Sequence, residues 1–343
     1  MSLTLSDILP HLLHTFKSES DLVRAINELS IIFNQDRGKL AQYGKDDRLV
    51  SAYTAFYALT NIPKLEETLK WFPQDVLQSW SDIELIDVGA GPGTMSLAWM
   101  SLFPETKEIY LIEQSPLMKE QADKIFKAIY PDVKLRFQGG QKSDKKRIAL
   151  FGHSLNEMGV ELGMRFIRDL NPDYILFIEP GMMSVFPQML EVRDELIKSG
   201  HKVLFPCLGQ GSCPLKENSS DWCHQYLHVK QNPEVERLTQ LASKDRRHLP
   251  ITVHLYAKDQ KIEIQSHTAR VFRSLPETKF SMEMQVCLPE GHLGLKHFQI
   301  YKKHYSKKEQ KEIEEMKAGD LIQYEVEKEL PEFTRVKIIR SES

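Results

Sequence analysis

The chain has 343 residues, 41% of them hydrophobic and 27% charged, with a net charge of -3. That length suggests two or three domains, each able to bury a core, and the composition is that of a folded protein rather than a disordered or low-complexity one. The near-neutral charge excludes a global nucleic-acid signature, so any RNA contact must come from local patches. No uncharged stretch approaches the roughly 18 residues of a membrane helix, and Met1 to Lys17 carries Asp7 and no arginine, unlike a secretory or organellar leader. The expectation is a soluble protein of a bacterial cytoplasm, with no membrane partner and an oligomeric state left open.

From Ser6 to about Trp80, apolar residues recur at helical spacing, as in Leu22, Ala25, Ile26 and Leu29. This predicts an N-terminal helical domain over 1–80, with Pro63 after one helix and Pro73 ending another. From Ile83 short apolar runs alternate with helices: IELIDVG, EIYLIE, KLRF, IALFGHS, YILFIEPG, KVLFPC and the late ITVHLYA. Strands alternating with helices give a doubly wound α/β core with a mainly parallel sheet over 81–257. Residues 206–230 form a cysteine-bearing insertion in it. Beyond Lys258 the pattern turns to period two in ARVFRS, KFSMEMQVCL and LKHFQIYKKH, predicting a small β-rich module over 258–343. A charged helix near Lys307 to Met316 and strands near Ile322 and Val336 complete it. Three basic patches stand out: Lys142, Lys145, Lys146 and Arg147; Lys244, Arg246 and Arg247; and Lys302, Lys303, Lys307 and Lys308. Each, taken singly, reads as solvated surface.

The sharpest motif, Asp87-Val88-Gly89-Ala90-Gly91-Pro92-Gly93-Thr94, lies between a strand and a helix. Its glycines permit a tight turn and close approach of backbone to a ligand. A dinucleotide fingerprint would need glycine where Thr94 stands. The D-x-G-x-G-x-G form instead resembles motif I of class I S-adenosylmethionine (SAM)-dependent methyltransferases, a Rossmann-like fold. The resemblance implies that Asp87, Gly89, Gly91 and Gly93 hold the methionine end of SAM and that Glu113, ending the second strand, takes the ribose hydroxyls. Two carboxylate oxygens suit two adjacent hydroxyls. After the fourth strand, Phe151-Gly152-His153-Ser154-Leu155-Asn156-Glu157 lacks the N-P-P-Y type acceptor of base-amino methylation. Catalytic residues are therefore unknown, with His153 and Glu157 as candidate general bases.

The four cysteines, Cys207, Cys213, Cys223 and Cys287, have gaps of five and nine residues and then a long excursion. Zinc knuckles pair cysteines at closer spacing, whereas four-thiolate iron-sulfur clusters accept ligands from separate loops. A 4Fe-4S cluster of structural or sensory role is the first expectation, zinc the alternative and four buried small hydrophobes the plainest reading. Pro206, Gly209, Gly211 and Pro214 favour a loop there.

The ordered set of the glycine loop, Ile178-Glu179-Pro180-Gly181, Pro206-Cys207, Cys213-Pro214-Leu215, Asp221-Trp222-Cys223-His224 and Cys287-Leu288-Pro289-Glu290-Gly291 resembles the methyltransferase-like assembly factors of the mitochondrial small ribosomal subunit and their bacterial relatives. The resemblance implies SAM binding, action on or with small-subunit ribosomal RNA in ribosome assembly, and a 4Fe-4S cluster on the four cysteines. It departs from the family at Leu208 and Gly209, and at His228 and Lys230 where arginines are common. Two alternatives stay open: a non-catalytic RNA-binding assembly factor that keeps the SAM pocket, and a zinc-stabilised methyltransferase of protein or small molecules.

Overall fold

The computed structural model describes residues 3–35, 40–137, 144–217, 220–258, 260, 266–289 and 294–339. Lys142, Glu290 and Gly291, named above, lie outside them. The chain divides into two compact units, residues 1–179 with 227–249, and residues 180–226 with 250–343. No helix among the described residues is long and apolar enough to cross a membrane.

In the first unit, β1 (Glu84–Val88), β2 (Glu108–Ile112), β3 (Lys134–Arg136), β4 (Arg147–Gly152) and β5 (Tyr174–Pro180) form a parallel sheet in the order β3-β2-β1-β4-β5. All five match the apolar runs read from the sequence. Because both faces are covered, the central strands are mainly apolar: Leu85, Ile86 and Val88 of β1 and Ile148 to Phe151 of β4 are fully buried. The strand order reverses between β1 and β4, and ligands of open α/β sheets bind at the carboxyl ends of the strands at such a reversal. This Rossmann-like sheet is the predicted fold class.

The N-terminal helices belong to this same compact unit, not to one of their own. Polar ties explain why: Gln121 accepts from the Leu13 amide at 3.0 Å and donates to the His11 carbonyl at 2.9 Å, and the Lys124 ammonium donates to the Leu12 carbonyl. Helix Asp47–Ala52 passes through a π-helical stretch, Tyr53–Ala58, into helix Leu59–Leu69, with Pro63 inside that helix rather than at its end. Burial of Asn61, Lys64, Leu65 and Thr68 down one face holds the helix through the proline.

In the second unit, β6 (Lys202–Phe205) pairs antiparallel with β8 (His248–Ala257). Between them in sequence, β7 (Gln225–His228) is a short strand that no hydrophobic run announced. The remaining strands, β9 (Thr268–Leu275), β10 (Ser281–Cys287), β11 (Lys296–Tyr301), β12 (Leu321–Glu329) and β13 (Thr334–Ile339), close into a barrel in the order β10-β11-β13-β12-β9. The expected small β module is therefore a closed barrel with one parallel pair, β11 with β13. Its interior is filled by Val271, Met284, Val286, Phe298, Ile300 and Val336.

Candidate cofactor site and cysteine locale

The glycine loop leaves β1 at the sheet's reversal. Gly89, Gly91 and Gly93 all have positive φ (71°, 54° and 81°). At Gly89 a Cβ would lie 2.4 Å from the Ser154 Cβ, so only glycine lets the β1 loop meet the loop after β4. Ser154 completes that junction by donating its hydroxyl to the Val88 carbonyl at 2.6 Å.

Asp87 is buried, and its Oδ2 accepts the Ser96 amide at 3.1 Å and the Ser96 hydroxyl at 2.7 Å. Burial pushes its carboxyl up to about 7; the Ser96 donors pull the other way, and the Glu113 charge adds to the rise. Glu113 accepts the Gly91 amide through Oε2 at 2.8 Å and the Ser115 amide through Oε1 at 2.7 Å. It thus braces the loop that it was expected to serve. Each oxygen keeps a second lone pair for an incoming hydroxyl.

Aromatic rings from the N-terminal helices belong to this site, and sequence periodicity did not single them out. Tyr53 stacks on Tyr43 (5.9 Å between centroids) and on Tyr57 (5.7 Å), and a Cβ on Gly91 would lie 3.9 Å from its ring. Burial raises the Tyr53 phenol's pKa, and the charges of Glu157, Glu113, Tyr57 and Asp87 raise it further. Acidic groups beside aromatic faces suit a cation bearing an adenosyl group. A π-helical bulge often marks such a functional place, and here it carries Tyr53 and Tyr57.

His153 sits in the left-handed region (φ 60°) directly after β4. Its Nε2 lies 2.7 Å from the Nζ of Lys64. Burial drives the pKa of both groups well below its ordinary value, and Arg246 lowers both further. The buried Glu179 accepts the amides of Ser154 (3.0 Å) and Leu155 (2.8 Å) and the side-chain amide of Asn156 (2.9 Å), fixing the loop that holds His153. Burial pushes Glu179 up to about 7. Glu157 is exposed and contributes charge near Tyr53. Lys64 and Glu179 had no assigned role in the sequence. Lys64 had a signal, a lysine on the stripe shared by Asn61, Leu65 and Thr68.

The basic patches are largely committed locally. Lys145 pairs with Asp82 and Lys302 with Glu277 and Glu314. Lys244 donates to the Ser30 hydroxyl, and Arg246 stands over the Phe56 and Tyr57 rings.

All four cysteines fall in the second unit, although the sequence boundaries assigned Cys287 to a different domain from the other three. The Cys207 sulfur accepts Arg193 Nε at 3.2 Å and the Cys223 sulfur accepts Gln225 Nε2 at 3.8 Å. Burial, reinforced by the other thiols, pushes Cys213 up to about 11, Cys287 up to about 12 and Cys223 well above the ordinary range. The expected four-ligand centre is not assembled: among the described residues, no three His, Cys, Asp or Glu side chains are grouped so as to hold a metal ion. Arg270 lies near Cys207, Cys223 and Cys287, and its buried Nε has no hydrogen-bond partner among the described residues.

A comparison with curated proteins finds no match. Among solved structures, the chain is similar to the magnesium protoporphyrin IX methyltransferase of Synechocystis PCC 6803 with bound SAM, at 9% identity, 68% of this chain and 97% of that one, with a TM-score of 0.37. It is similar to the plantazolicin methyltransferase BpumL in complex with SAH at 11% identity, 70% and 97% coverage and a TM-score of 0.36. It is also similar to the precorrin-6y C5,15-methyltransferase of Geobacter metallireducens at 16% identity, 52% and 82% coverage and a TM-score of 0.32. The family described as mitochondrial small ribosomal subunit Rsm22 matches residues 48–321, most of the chain, and this protein therefore belongs to the Rsm22 family.

Proposed function

We propose that this protein is a SAM-binding, methyltransferase-like factor that acts on or with small-subunit ribosomal RNA in ribosome assembly. The observation that carries the reading is the glycine loop at the sheet's reversal, with Asp87 in β1 before it, Glu113 accepting the Gly91 amide, and Tyr53 of the Tyr43-Tyr53-Tyr57 stack beside Gly91. Asp87 would hold the ammonium of SAM and Glu113 the ribose hydroxyls, and the tyrosine faces would serve its cationic adenosyl end. The Rsm22 family description supports the ribosomal partner.

His153 and Lys64 suit the acceptor side of a methyl transfer. In the tautomer with hydrogen on Nε2, His153 donates to a neutral Lys64 amine and keeps its Nδ1 lone pair for the acceptor's proton. SAM would supply the methyl group there, and His153 would take the proton that the acceptor releases. The local depression of the Lys64 pKa keeps that amine able to accept.

The same reading includes a 4Fe-4S cluster on Cys207, Cys213, Cys223 and Cys287, zinc being the alternative. The chemistry of the donor set fits: four thiols and two arginines of one unit share a locale, and an anionic centre there would satisfy the orphaned Arg270 Nε. The cluster would supply a rigid cross-link rather than a reaction step.

Calorimetric titration with SAM, iron and zinc analysis, and mass spectrometry of ribosomal RNA from a deletion strain test the reading. Asp87→Ala should lose SAM binding and keep its metal content; Cys287→Ser should do the reverse. Full SAM affinity in Asp87→Ala would refute the pocket. A deletion strain with every ribosomal methyl group in place and immature small subunits accumulating would favour the non-catalytic assembly factor.

A further inference from the structure

The barrel of the second unit has a topology that narrows what its outer face can do. β9, β10 and β11 form an antiparallel meander, β11 runs parallel to β13, and β12 pairs antiparallel with both β13 and β9, closing the ring. Helix Lys307–Glu314 connects β11 to β12. Five strands closed in this order are those of an oligonucleotide- and oligosaccharide-binding barrel, whose ligands lie on the second and third strands and on the loops after the first and fourth. Topology alone assigns no function, so the residues on that face must carry the case.

Alternation places Val286, Met284, Phe298 and Ile300 inside, and the register aligns their neighbours outside. One row runs Arg273, Gln285, His297 and the next runs Glu283, Gln299, Arg335. Hydrogen bonds run along each row, and His297 with Glu283 joins the two. Arg273 Nε donates to Gln285 at 2.6 Å, Arg335 donates through Nε and Nη2 to Gln299 at 3.1 and 3.0 Å, and Gln299 donates to Glu283 at 3.2 Å. His297 Nε2 lies 2.6 Å from the other Glu283 oxygen, so both oxygens of this carboxylate are engaged. The Arg335 guanidinium also lies 4.0 Å from the centroid of the Tyr301 ring.

Aromatic rings stand at both of the loops that such barrels use. Phe280, in the turn between β9 and β10, is 70% exposed, which nothing in packing rewards. Phe333, between β12 and β13, lies with its ring 5.9 Å from that of His297.

We infer that this outer face, with Tyr301 and Arg335 at its centre and Phe280 and Phe333 at its edges, binds single-stranded RNA. Ring faces and a guanidinium plane offer stacking platforms to unstacked bases, which a duplex does not present, while the Gln and His side chains can meet base edges. Two of the surrounding cations are already paired, Arg273 with Asp221 and Lys302 with Glu277, so they contribute less to neutralising phosphates and the salt dependence of binding should be modest. The choice of RNA over DNA rests on the proposed ribosomal role.

Fluorescence anisotropy on the full chain, with labelled single-stranded RNA of about 12 nucleotides, the DNA of the same sequence and the RNA duplex, tests this inference. Arg335→Ala and Phe280→Ala should each weaken single-strand binding about tenfold, while Lys311→Ala, on an exposed position of the connecting helix, should leave it unchanged. Melting temperature and SAM affinity, measured on the same samples, should match the wild type. Wild-type affinity in both Arg335→Ala and Phe280→Ala, equal loss in Lys311→Ala, or preference for the duplex would overturn the inference while leaving the SAM pocket standing. A wild-type chain that binds SAM but no RNA would overturn this inference and the ribosomal reading together.

Discussion

Lowering the pH from 7 to 6 should weaken SAM binding roughly fivefold, and each further unit about tenfold, if the ligand's ammonium requires the Asp87 carboxylate. The free carboxyl is held at about 7 by burial, with the Glu113 charge reinforcing it against the two donors of Ser96. At pH 7 about half of the molecules carry the anion, and at pH 6 about one in eleven. The useful window is pH 7 down to 5.5, because the ligand's own α-amino group, with a pKa near 8, stays protonated there. The same shift acts on stability. The folded-state pKa lies above the unfolded value of 3.8, so the folded chain binds more protons between 3.8 and about 7 and loses stability as pH rises through that window. The full loss above pH 7 is on the order of 4 kcal/mol. Asp87→Asn keeps an oxygen for Ser96 and removes the titration. It should bind SAM weakly with a flat pH profile, and it should melt above the wild type at pH 7.5. Calorimetric titration and thermal melts check both. A flat profile in the wild type would refute the argument, and an unchanged slope in Asp87→Asn would place the titration on another group, the buried Glu179 being the next with a pKa near 7.

Gly209→Ala should disrupt the cysteine-bearing unit, because a Cβ there would stand 1.6 Å from the Pro289 carbonyl oxygen, and backbone cannot yield as a side chain can; a loss of 2 kcal/mol or more in urea unfolding, roughly that of an overpacked core site, is expected, and unchanged stability would show that the loop is placed elsewhere. Lys64→Met should move the His153 pKa, because the imidazole Nε2 loses the amine partner 2.7 Å away. Proton chemical shifts of the imidazole, followed from pH 4 to 8, read that change, and an unmoved midpoint would separate the two residues.

The strands were legible because each is a short apolar run bounded by turn residues, and β1 through β6 appear where those runs lie. The glycine loop was legible for a different reason, since a loop between a strand and a helix must carry its special backbone in its own residues. Pro63 misled, because a proline's cost to a helix is local while the burial of Asn61, Lys64, Leu65 and Thr68 acts along the whole face. Tyr53 and Lys64 remained hidden within an amphipathic pattern that fits many partners.

By itself, the sequence determined the α/β core, its glycine loop and the loop-like surroundings of Cys207, Cys213 and Cys223, all properties encoded within a few residues. Tertiary structure decided the rest. It set His153 against Lys64 across 89 positions of chain, stacked the N-terminal tyrosines beside Gly91, gathered all four thiols into one unit, and closed the last five strands into a ring with a polar outer face. Each depends on which distant surfaces meet, and that is chosen by burial and register over the whole chain rather than by local pattern.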